Sequence, residues 1–330
     1  MTGQTSSSIK WGIIGTGDVA EHKSGPAFYL CDRSELVAVT NRTLDKARDF
    51  ARRHRSPVVY ETATELLSSP DVNAVYIGTP PDSHLQLARL AAESGKHVLV
   101  EKPMALTLAD CKEMCRVCED NKVSLVVAFY RRYFPVIQKA KSLLNENRIG
   151  KPLSISVKTI APFHLDDDAW RLDPNISGGG FMMDMGTHRF DLFTYLFGPP
   201  RTILGRSKAQ SWSQPVDDAA SIAVEFENGG LGNAVFHWNS AVNRDELEII
   251  GTNGSISIHD LSGAATLTLE HENKGGQLTK DQFQFAAPSP VHLPLIEGVV
   301  AHLLDGEYNP CSGIEAAWAT KYANDAALIP

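Results

Sequence analysis

The strongest constraint on this chain is a glycine-rich turn near its start. Gly15-x-Gly17-x-x-Ala20 follows an apolar run, Ile9–Ile14, that predicts a strand, and it opens a segment to about Leu30 that predicts a helix. Gly15 permits a tight turn, Gly17 lets the backbone approach a pyrophosphate, and Ala20 allows close helix–strand packing. A helix N-terminus favours anions, so the turn predicts a dinucleotide site. The predicted contact residues are Gly15, Thr16, Gly17, Asp18 and Val19.

The rest of the chain divides into two patterns. Strand and helix signals alternate over residues 1–128, which predicts an α/β fold: a Rossmann domain whose parallel sheet is covered on both faces. From Arg201 to Phe285 the chain instead reads as consecutive strands joined by turn residues. We therefore expect a second domain, 129–330, of the α+β class with an open, largely antiparallel sheet. Its two final helices are expected near 294–304 and 313–328, and packing of these helices against the first domain is compatible with the pattern.

The net charge and the lengths of the apolar stretches argue against some classes of binding partner. The 330 residues carry a formal net charge of -8, which argues against nucleic acid, because phosphate-backbone binding needs a basic face. The longest apolar stretches are too short to span a bilayer, so no membrane partner is expected. The polar segment Met1–Ser8 lacks an apolar signal core, and a cytoplasmic location follows as the default expectation.

Three of the five cysteines form C-x3-C-x2-C, a spacing that also occurs in iron–sulfur enzymes. Cys111, Cys115 and Cys118 fall on one face of a predicted helix, Leu108–Asn121. Free cysteine is among the most buried residue types. The pattern therefore favours a buried helix face, and we expect no metal site.

The end of the second predicted strand bears on cofactor choice. An acid normally stands there to bind the ribose 2′-OH of NAD, but this chain has Asn41 followed by Arg42, with Lys46 one helical turn later. Neutral and basic residues tolerate, and can bind, a 2′-phosphate. We predict a preference for NADP(H), with NAD(H) as the alternative.

The fourth predicted strand ends in a loop stiffened by two prolines, Pro80 and Pro81. With Thr79, they are placed to line the nicotinamide ribose. His84 follows in the first turn of the next helix. It is equally consistent with a cofactor contact and with a structural role.

Lys102 lies just beyond the carboxyl end of a predicted strand. It follows the apolar run His97–Val100 in Glu101-Lys102-Pro103, and ligands of open parallel sheets bind outside the carboxyl ends of the strands. Pro103 biases Lys102 toward an extended backbone, which gives its side chain a defined direction. We predict that Lys102 faces the substrate.

A second group of chemical residues lies on one predicted helix, Gly180–Phe197, which follows a triple glycine. Asp184 and His188 are four residues apart and share a face, and Asp191 extends the same stripe. These residues could ligate a divalent metal or form a satisfied structural network. General acid–base chemistry fits them better, because histidine titrates near neutral pH and a carboxylate can orient it. A catalytic cleft between the domains would provide the polar partners that a buried helix of this kind needs.

Several motifs, in this order and at these spacings, resemble the glucose–fructose oxidoreductase / inositol dehydrogenase (Gfo/Idh/MocA) family over nearly the whole chain. The matching pieces are the Gly15 turn, Glu101-Lys102-Pro103, the segment Phe129–Pro135, Trp170-Arg171 and the segment Gly178–Asp191. The resemblance implies reversible oxidation of a sugar or cyclic polyol hydroxyl by NAD(P). It also implies a homodimer or homotetramer formed through the C-terminal sheet.

The resemblance further implies roles for individual residues. Lys102 would hydrogen-bond the reacting oxygen, Asp184 would bind and orient the substrate, and His188 would transfer the proton, although some relatives carry tyrosine at that position. Trp170 and Arg171 would reach the cofactor, which Glu101 and Lys102 also border. The candidate hydroxyl-binding groups are Arg131, His164, Asp166, Asp167, Asp168 and Asn239.

Two rival functions share the same motifs. A dinucleotide-retaining glycosidase would use transient oxidation to assist elimination, with no net change in NAD(P)H. A sugar or dinucleotide sensor would bind without reacting, and the complete set of Lys102, Asp184 and His188 argues against it.

Overall fold

The computed structural model describes residues 8–54, 58–162, 169–210, 216–273 and 275–327. Packing divides the chain into two units. The first contains the chain up to Tyr130 together with Pro288–Ala317, and the second contains Arg131–Ala287 together with the chain from Trp318. The C-terminal segment that returns to the first unit therefore contributes a helix to it.

In the described part of the first unit, six strands form one parallel sheet in the order β3-β2-β1-β4-β5-β6. The strands are β1 (Ile9–Ile14), β2 (Ser34–Thr40), β3 (Val58–Val59), β4 (Ala74–Ile77), β5 (His97–Val100) and β6 (Leu125–Val127). The strand order reverses between β1 and β4, and a ligand binds at such a switch point outside the carboxyl ends of the strands. The Gly15 turn and Lys102 both lie at that edge.

The helices of this unit follow the strands as the sequence predicts. They are α1 (Gly25–Leu30), α2 (Leu44–Arg53), α3 (Ala63–Ser68), α4 (His84–Glu93), α5 (Leu108–Asp120) and the returning α9 (Leu293–Asp305). A π-helical turn, Ala20–Ser24, precedes α1 where the sequence predicts one continuous helix. On α5, Cys111 and Cys118 are buried and Cys115 is half-buried, so the predicted face is largely but not wholly buried. That burial raises the pKa of Cys118 to about 12.

The second unit contains an eight-stranded sheet in its described part, in the order β14-β13-β12-β11-β7-β10-β9-β8. Only the β7–β10 pair is parallel among the described pairs, so the prediction of a largely antiparallel sheet is confirmed. The strands are β7 (Pro152–Ile160), β8 (Pro200–Lys208), β9 (Ala219–Phe226), β10 (Leu231–His237), β11 (Arg244–Gly251), β12 (Gly254–His259), β13 (Ala265–Glu272) and β14 (Leu278–Phe285).

The two faces of this sheet differ in burial because its side chains alternate. Phe236, Ile222 and Leu247 are buried on one face. On the other face Leu204 and Leu231 are 58% and 60% exposed, respectively. The helices of this unit are α6 (Pro135–Asn145), α7 (Pro174–Ser177) and α8 (Thr187–Phe197), while the final helix, α10 (Gly313–Ala327), contains the division between the units.

The helices of the described chain do not include one that is both long and apolar enough to cross a membrane. Within the same residues, no three histidine, cysteine or acidic side chains are grouped so that they could hold a metal ion.

Candidate active site

The glycine turn has the geometry that a dinucleotide site requires. Gly15 has φ +98°, and a Cβ there would lie 2.8 Å from the carbonyl oxygen of Gly78, so a side chain is excluded. Gly17 is exposed, and no described atom lies within 4 Å of the place its Cβ would take. This open cradle is consistent with the close approach of a pyrophosphate. Asp18 is also exposed and Val19 is half-buried.

The side-chain amide of Asn41 makes the hydrogen bonds at the end of β2. Asn41 Nδ2 donates to Thr16 Oγ1 at 2.9 Å, and Asn41 Oδ1 accepts from the backbone N–H of Thr43 at 2.9 Å. The position where NAD-binding folds place an acid therefore carries a neutral side chain with a fixed orientation. Arg42 and Lys46 are exposed beside it.

His84 joins two loops at the sheet edge. It is fully buried, with Nε2 2.8 Å from the carbonyl oxygen of Thr79 and Nδ1 3.1 Å from that of Pro103. Burial lowers the pKa of His84, and the backbone carbonyl oxygens around the ring oppose that shift. The ring thus links the Thr79-Pro80-Pro81 loop to the loop that carries Lys102. Pro81 is buried, whereas Thr79 and Pro80 are half-buried.

Glu101 organises the backbone around Lys102. Its Oε1 accepts from the phenol of Tyr76 at 2.7 Å, and its Oε2 accepts from the backbone N–H of Lys102 at 3.1 Å. Burial raises the pKa of Glu101, whereas the Tyr76 hydrogen bond and the charge of Lys102 oppose that rise. Lys102 itself is half-buried. The carboxylate therefore fixes the backbone from which the Lys102 side chain extends.

In the second unit, the start of the predicted apolar helix is bound by a single residue. Asp217 accepts from the backbone N–H of Gly180 at 3.1 Å and of Met182 at 2.9 Å, and its carbonyl oxygen accepts from Phe181 at 2.9 Å. A Cβ at Gly180 would lie 1.9 Å from that carbonyl oxygen, which explains why glycine stands there. The segment then makes a π-helical turn, Met182–Gly186, before α8 begins. Such turns occur frequently at functional sites.

Asp184 lies in this π-helical turn and is half-buried. Its Oδ2 accepts from Arg171 Nε at 3.2 Å, and the Arg171 guanidinium lies over the Trp170 ring, 4.5 Å from the centroid. His188 is in the first turn of α8 and is 3% exposed. The structure thus brings Asp184, Arg171 and Trp170 together in one chain of contacts.

Two further predicted residues have structural contacts. Asp191 receives two hydrogen bonds from Arg132 Nε, at 3.0 and 2.9 Å, and both side chains are buried. Arg131 is buried too, and its Nη1 donates to the carbonyl oxygen of Leu261 at 2.8 Å. Asn239 is exposed. His164, Asp166, Asp167 and Asp168 lie outside the described residues.

Family models match both parts of the chain. Residues 9–129 match a model described as an oxidoreductase family with an NAD-binding Rossmann fold, and residues 137–257 match the Gfo/Idh/MocA C-terminal domain. The chain belongs to the Gfo/Idh/MocA family of oxidoreductases. The family and the fold class predicted from the sequence are therefore confirmed.

Individual known proteins resemble most of this chain. Oxidoreductase P35 of Formosa agariphila is 39% identical over 95% of this chain and 97% of its own length. D-xylose 1-dehydrogenase [NADP(+)] of Haloarcula marismortui is 27% identical over 77% of this chain and 73% of its own length. A levoglucosan dehydrogenase, solved with NADH and L-sorbose, has the same fold with a TM-score of 0.87 at 22% identity, covering 97% of this chain and 96% of its own.

The sequence did not indicate two of the residues that organise this Gfo/Idh/MocA protein. Asp217 binds backbone groups 35 to 37 residues away, and His292 reaches the surroundings of Glu101 from the returning C-terminal segment. A glycine-rich helix start does call for an acceptor, because its first N–H groups have no partner within the helix. The glycine-rich helix start does not indicate which residue supplies that acceptor.

Proposed function

We propose that the protein transfers a hydride between a nicotinamide dinucleotide and a hydroxyl-bearing carbon of a sugar, keto-sugar or cyclic polyol. The observation that carries the proposal is Lys102, which extends from a Glu101-held backbone at the sheet edge that also holds the glycine turn. A lysine there supplies positive charge where ligands of this fold bind. The sugar-acting names of relatives support the substrate class.

Each residue has a chemical role in this proposal. When bound, the dinucleotide supplies or accepts the hydride at C4 of its nicotinamide. In the reductive direction the carbonyl oxygen gains negative charge as its π bond opens, and the Lys102 ammonium stabilises that oxyanion. His188 then donates the proton that completes the hydroxyl. Asp184, held by Arg171, binds and orients the substrate.

Residues of the first unit would supply most of the cofactor contacts. The glycine turn, Gly15 to Val19, would hold the pyrophosphate, and the loops at Thr79 to Pro81 and at Glu101 would border the nicotinamide. We propose Trp170 and Arg171 as further cofactor contacts. We propose that His84 acts by holding those loops, since its ring is fully buried.

The preference for NADP(H) is part of the proposal. Its support is the neutral Asn41 at the ribose position with exposed Arg42 and Lys46 next to it. Two cations in reach of a 2′-phosphate stabilise the phosphorylated cofactor by charge-assisted hydrogen bonds. A ratio of kcat/KM values for NADPH and NADH below one would contradict this preference.

The test is a panel of polyols, aldoses and keto-sugars followed at the NAD(P)H absorbance band. The Lys102→Met variant should lose turnover by at least about 100-fold while retaining dinucleotide binding, because the oxyanion loses its charged partner. Lys112→Met, at an exposed site on α5, is the matched control and should keep full activity. Full turnover in Lys102→Met would refute the assignment, and glycoside release without net NAD(P)H change would favour the glycosidase-type alternative.

We further propose that the protein forms a homodimer or homotetramer through the exposed face of the eight-stranded sheet. Leu204 on β8, Leu231 on β10 and Ile250 on β11 are all exposed on that face, and exposed apolar side chains on one face of a sheet support its use as an association surface. Light scattering during gel filtration should give a multiple of 36.0 kDa. Leu231→Glu should reduce that mass, whereas Leu30→Glu, at the end of α1, should not; a wild-type monomer would rule out the interface.

A further inference from the structure

A buried histidine, His292, lies beside Glu101 in the first unit. Its side chain is fully buried, and its Nδ1 is 3.9 Å from Glu101 Oε1. Its ring packs against that of Tyr130, with centroids 4.5 Å apart. Neither ring nitrogen has a hydrogen-bond partner among the described residues. A buried polar group without a partner costs about 1–3 kcal/mol, so such a residue calls for a functional explanation.

The charges around His292 decide its protonation state. The charged and titratable groups that face it are Glu101, Lys23, Lys102 and the Tyr130 phenol. Burial lowers the pKa of His292 to about 3, and the positive charges of Lys23 and Lys102 act in the same direction. A neutral imidazole carries one N–H donor and one acceptor nitrogen. His292 is therefore neutral near pH 7 and has one proton to donate.

Glu101 has capacity for that proton. Its carboxylate accepts from Tyr76 and from the backbone N–H of Lys102, and a carboxylate offers about four acceptor positions. An N–H to oxygen hydrogen bond needs about 2.7–3.2 Å, so a relative movement of roughly 1 Å joins Nδ1 to Oε1. This bond would be the third one to orient Glu101.

We propose that His292 is a positioning residue: its Nδ1–H donates to Glu101 and thereby holds the carboxylate that fixes the backbone of Lys102. The inference rests on the proposed function, in which Lys102 stabilises the oxyanion. It adds a residue from the returning C-terminal segment to the machinery around Lys102.

The first test does not depend on activity. Long-range ¹H–¹⁵N spectra of the ¹⁵N-histidine-labelled protein, with the His292 signals assigned by their loss in His292→Asn, report the tautomer. The expected result is a neutral ring from pH 8 to pH 5 with its proton on Nδ1, and a shifted Nδ1 signal in Glu101→Gln. A proton on Nε2, a charged ring at pH 6, or signals indifferent to Glu101→Gln would overturn the proposal even in a fully active enzyme.

The second test separates positioning from folding. His292→Leu removes the donor, whereas the Asn side chain of His292→Asn keeps an N–H near the position of Nδ1. We expect kcat to fall at least about 10-fold in His292→Leu and to recover largely in His292→Asn, with the Kd for dinucleotide unchanged within about twofold. The acid limb of the kcat profile should move to higher pH in His292→Leu, because Glu101 loses a donor that stabilises its charged form.

The control is His302→Leu on α9, the helix that begins directly after His292; the Nε2 of His302 contacts Ser124 Oγ at 3.1 Å. Its kcat and pH profile should match those of the wild type. A drop in Tm for His292→Leu with kcat and the acid limb unmoved would show a purely structural role and overturn the proposal. An absence of hydride transfer in the wild-type protein would instead refute the proposed function. The tautomer measurement would still test the His292–Glu101 hydrogen bond, because it does not depend on activity.

Discussion

Gly180 offers the sharpest test of how the second unit positions Asp184 and His188. In Gly180→Ala, the new Cβ would lie 1.9 Å from the carbonyl oxygen of Asp217 and 2.8 Å from its backbone nitrogen. Both are backbone atoms, so neither can rotate away as a side chain could. The helix start and the Asp217 segment must therefore separate.

The size of the effect follows from that separation. A contact of ordinary length, 3.4 Å or more, requires the two backbones to move apart by about 1.5 Å, which strains the bonds from Gly180 and Met182 to the Asp217 carboxylate. A displacement of about 1 Å at a reacting group costs on the order of 100-fold in rate. We expect kcat to fall by about that factor, with a loss of about 1–3 kcal/mol in unfolding free energy from the weakened buried hydrogen bonds.

The assay measures kcat, the dinucleotide Kd and urea unfolding for Gly180→Ala and for Gly186→Ala. Gly186 ends the π-helical turn that follows Gly180 and has helical φ and ψ of -59° and -43°. A Cβ there would lie 3.3 Å from the Phe190 ring, which is a side chain and not backbone. Alanine favours a helix over glycine by up to about 1 kcal/mol, which offsets a shift of the Phe190 ring by a few tenths of an ångström, so the control should remain active and lose less stability than Gly180→Ala. Unchanged kcat in Gly180→Ala, or equal losses in both variants, would refute the positioning argument.

Three further predictions follow from individual contacts. Asn41→Asp places a negative charge where a 2′-phosphate would bind, so the ratio of kcat/KM for NADPH over NADH should fall at least about 10-fold in parallel assays; an unchanged ratio would contradict the site. His292 has its pKa lowered from 6.5 to about 3, so the unfolded chain binds its proton first and stability is lost as pH falls below 6.5. At pH 5 this amounts to about 2 kcal/mol, so urea unfolding from pH 7 to pH 5 should destabilise the wild type more than His292→Asn, and equal slopes would refute it. Asp191→Ala should cost about 3–5 kcal/mol in urea unfolding because it strands the buried Arg132 charge, and replacing both residues by apolar ones should recover most of that loss.

Local periodicity was sufficient to predict both folds. The alternation of short apolar runs and helical segments over the first 128 residues predicted a parallel sheet, and β1 and β5 have the bounds that it indicated. The regular strand and turn signals after Arg201 predicted the second sheet. These patterns are visible because a strand and a helix each repeat their contacts over a few neighbouring residues.

The long apolar helix was predicted only in outline. The sequence indicated one helix over Gly180–Phe197, whereas the structure has a π-helical turn, Met182–Gly186, before α8. The pattern of apolar residues does not distinguish the two. Three backbone N–H groups at the helix start bind Asp217, an interaction that no local pattern encodes.

By itself, the sequence determined the family, the class of both sheets and the residue types that bear the chemistry, because each depends on short motifs with fixed spacing. Only the tertiary structure decided which groups hold those residues: Asp217 for the helix of Asp184, Arg132 for Asp191, and His292 beside Glu101. These partners are distant along the chain. The tertiary fold brings these partners together, and the spacing of residues along the sequence does not indicate which distant residues will meet.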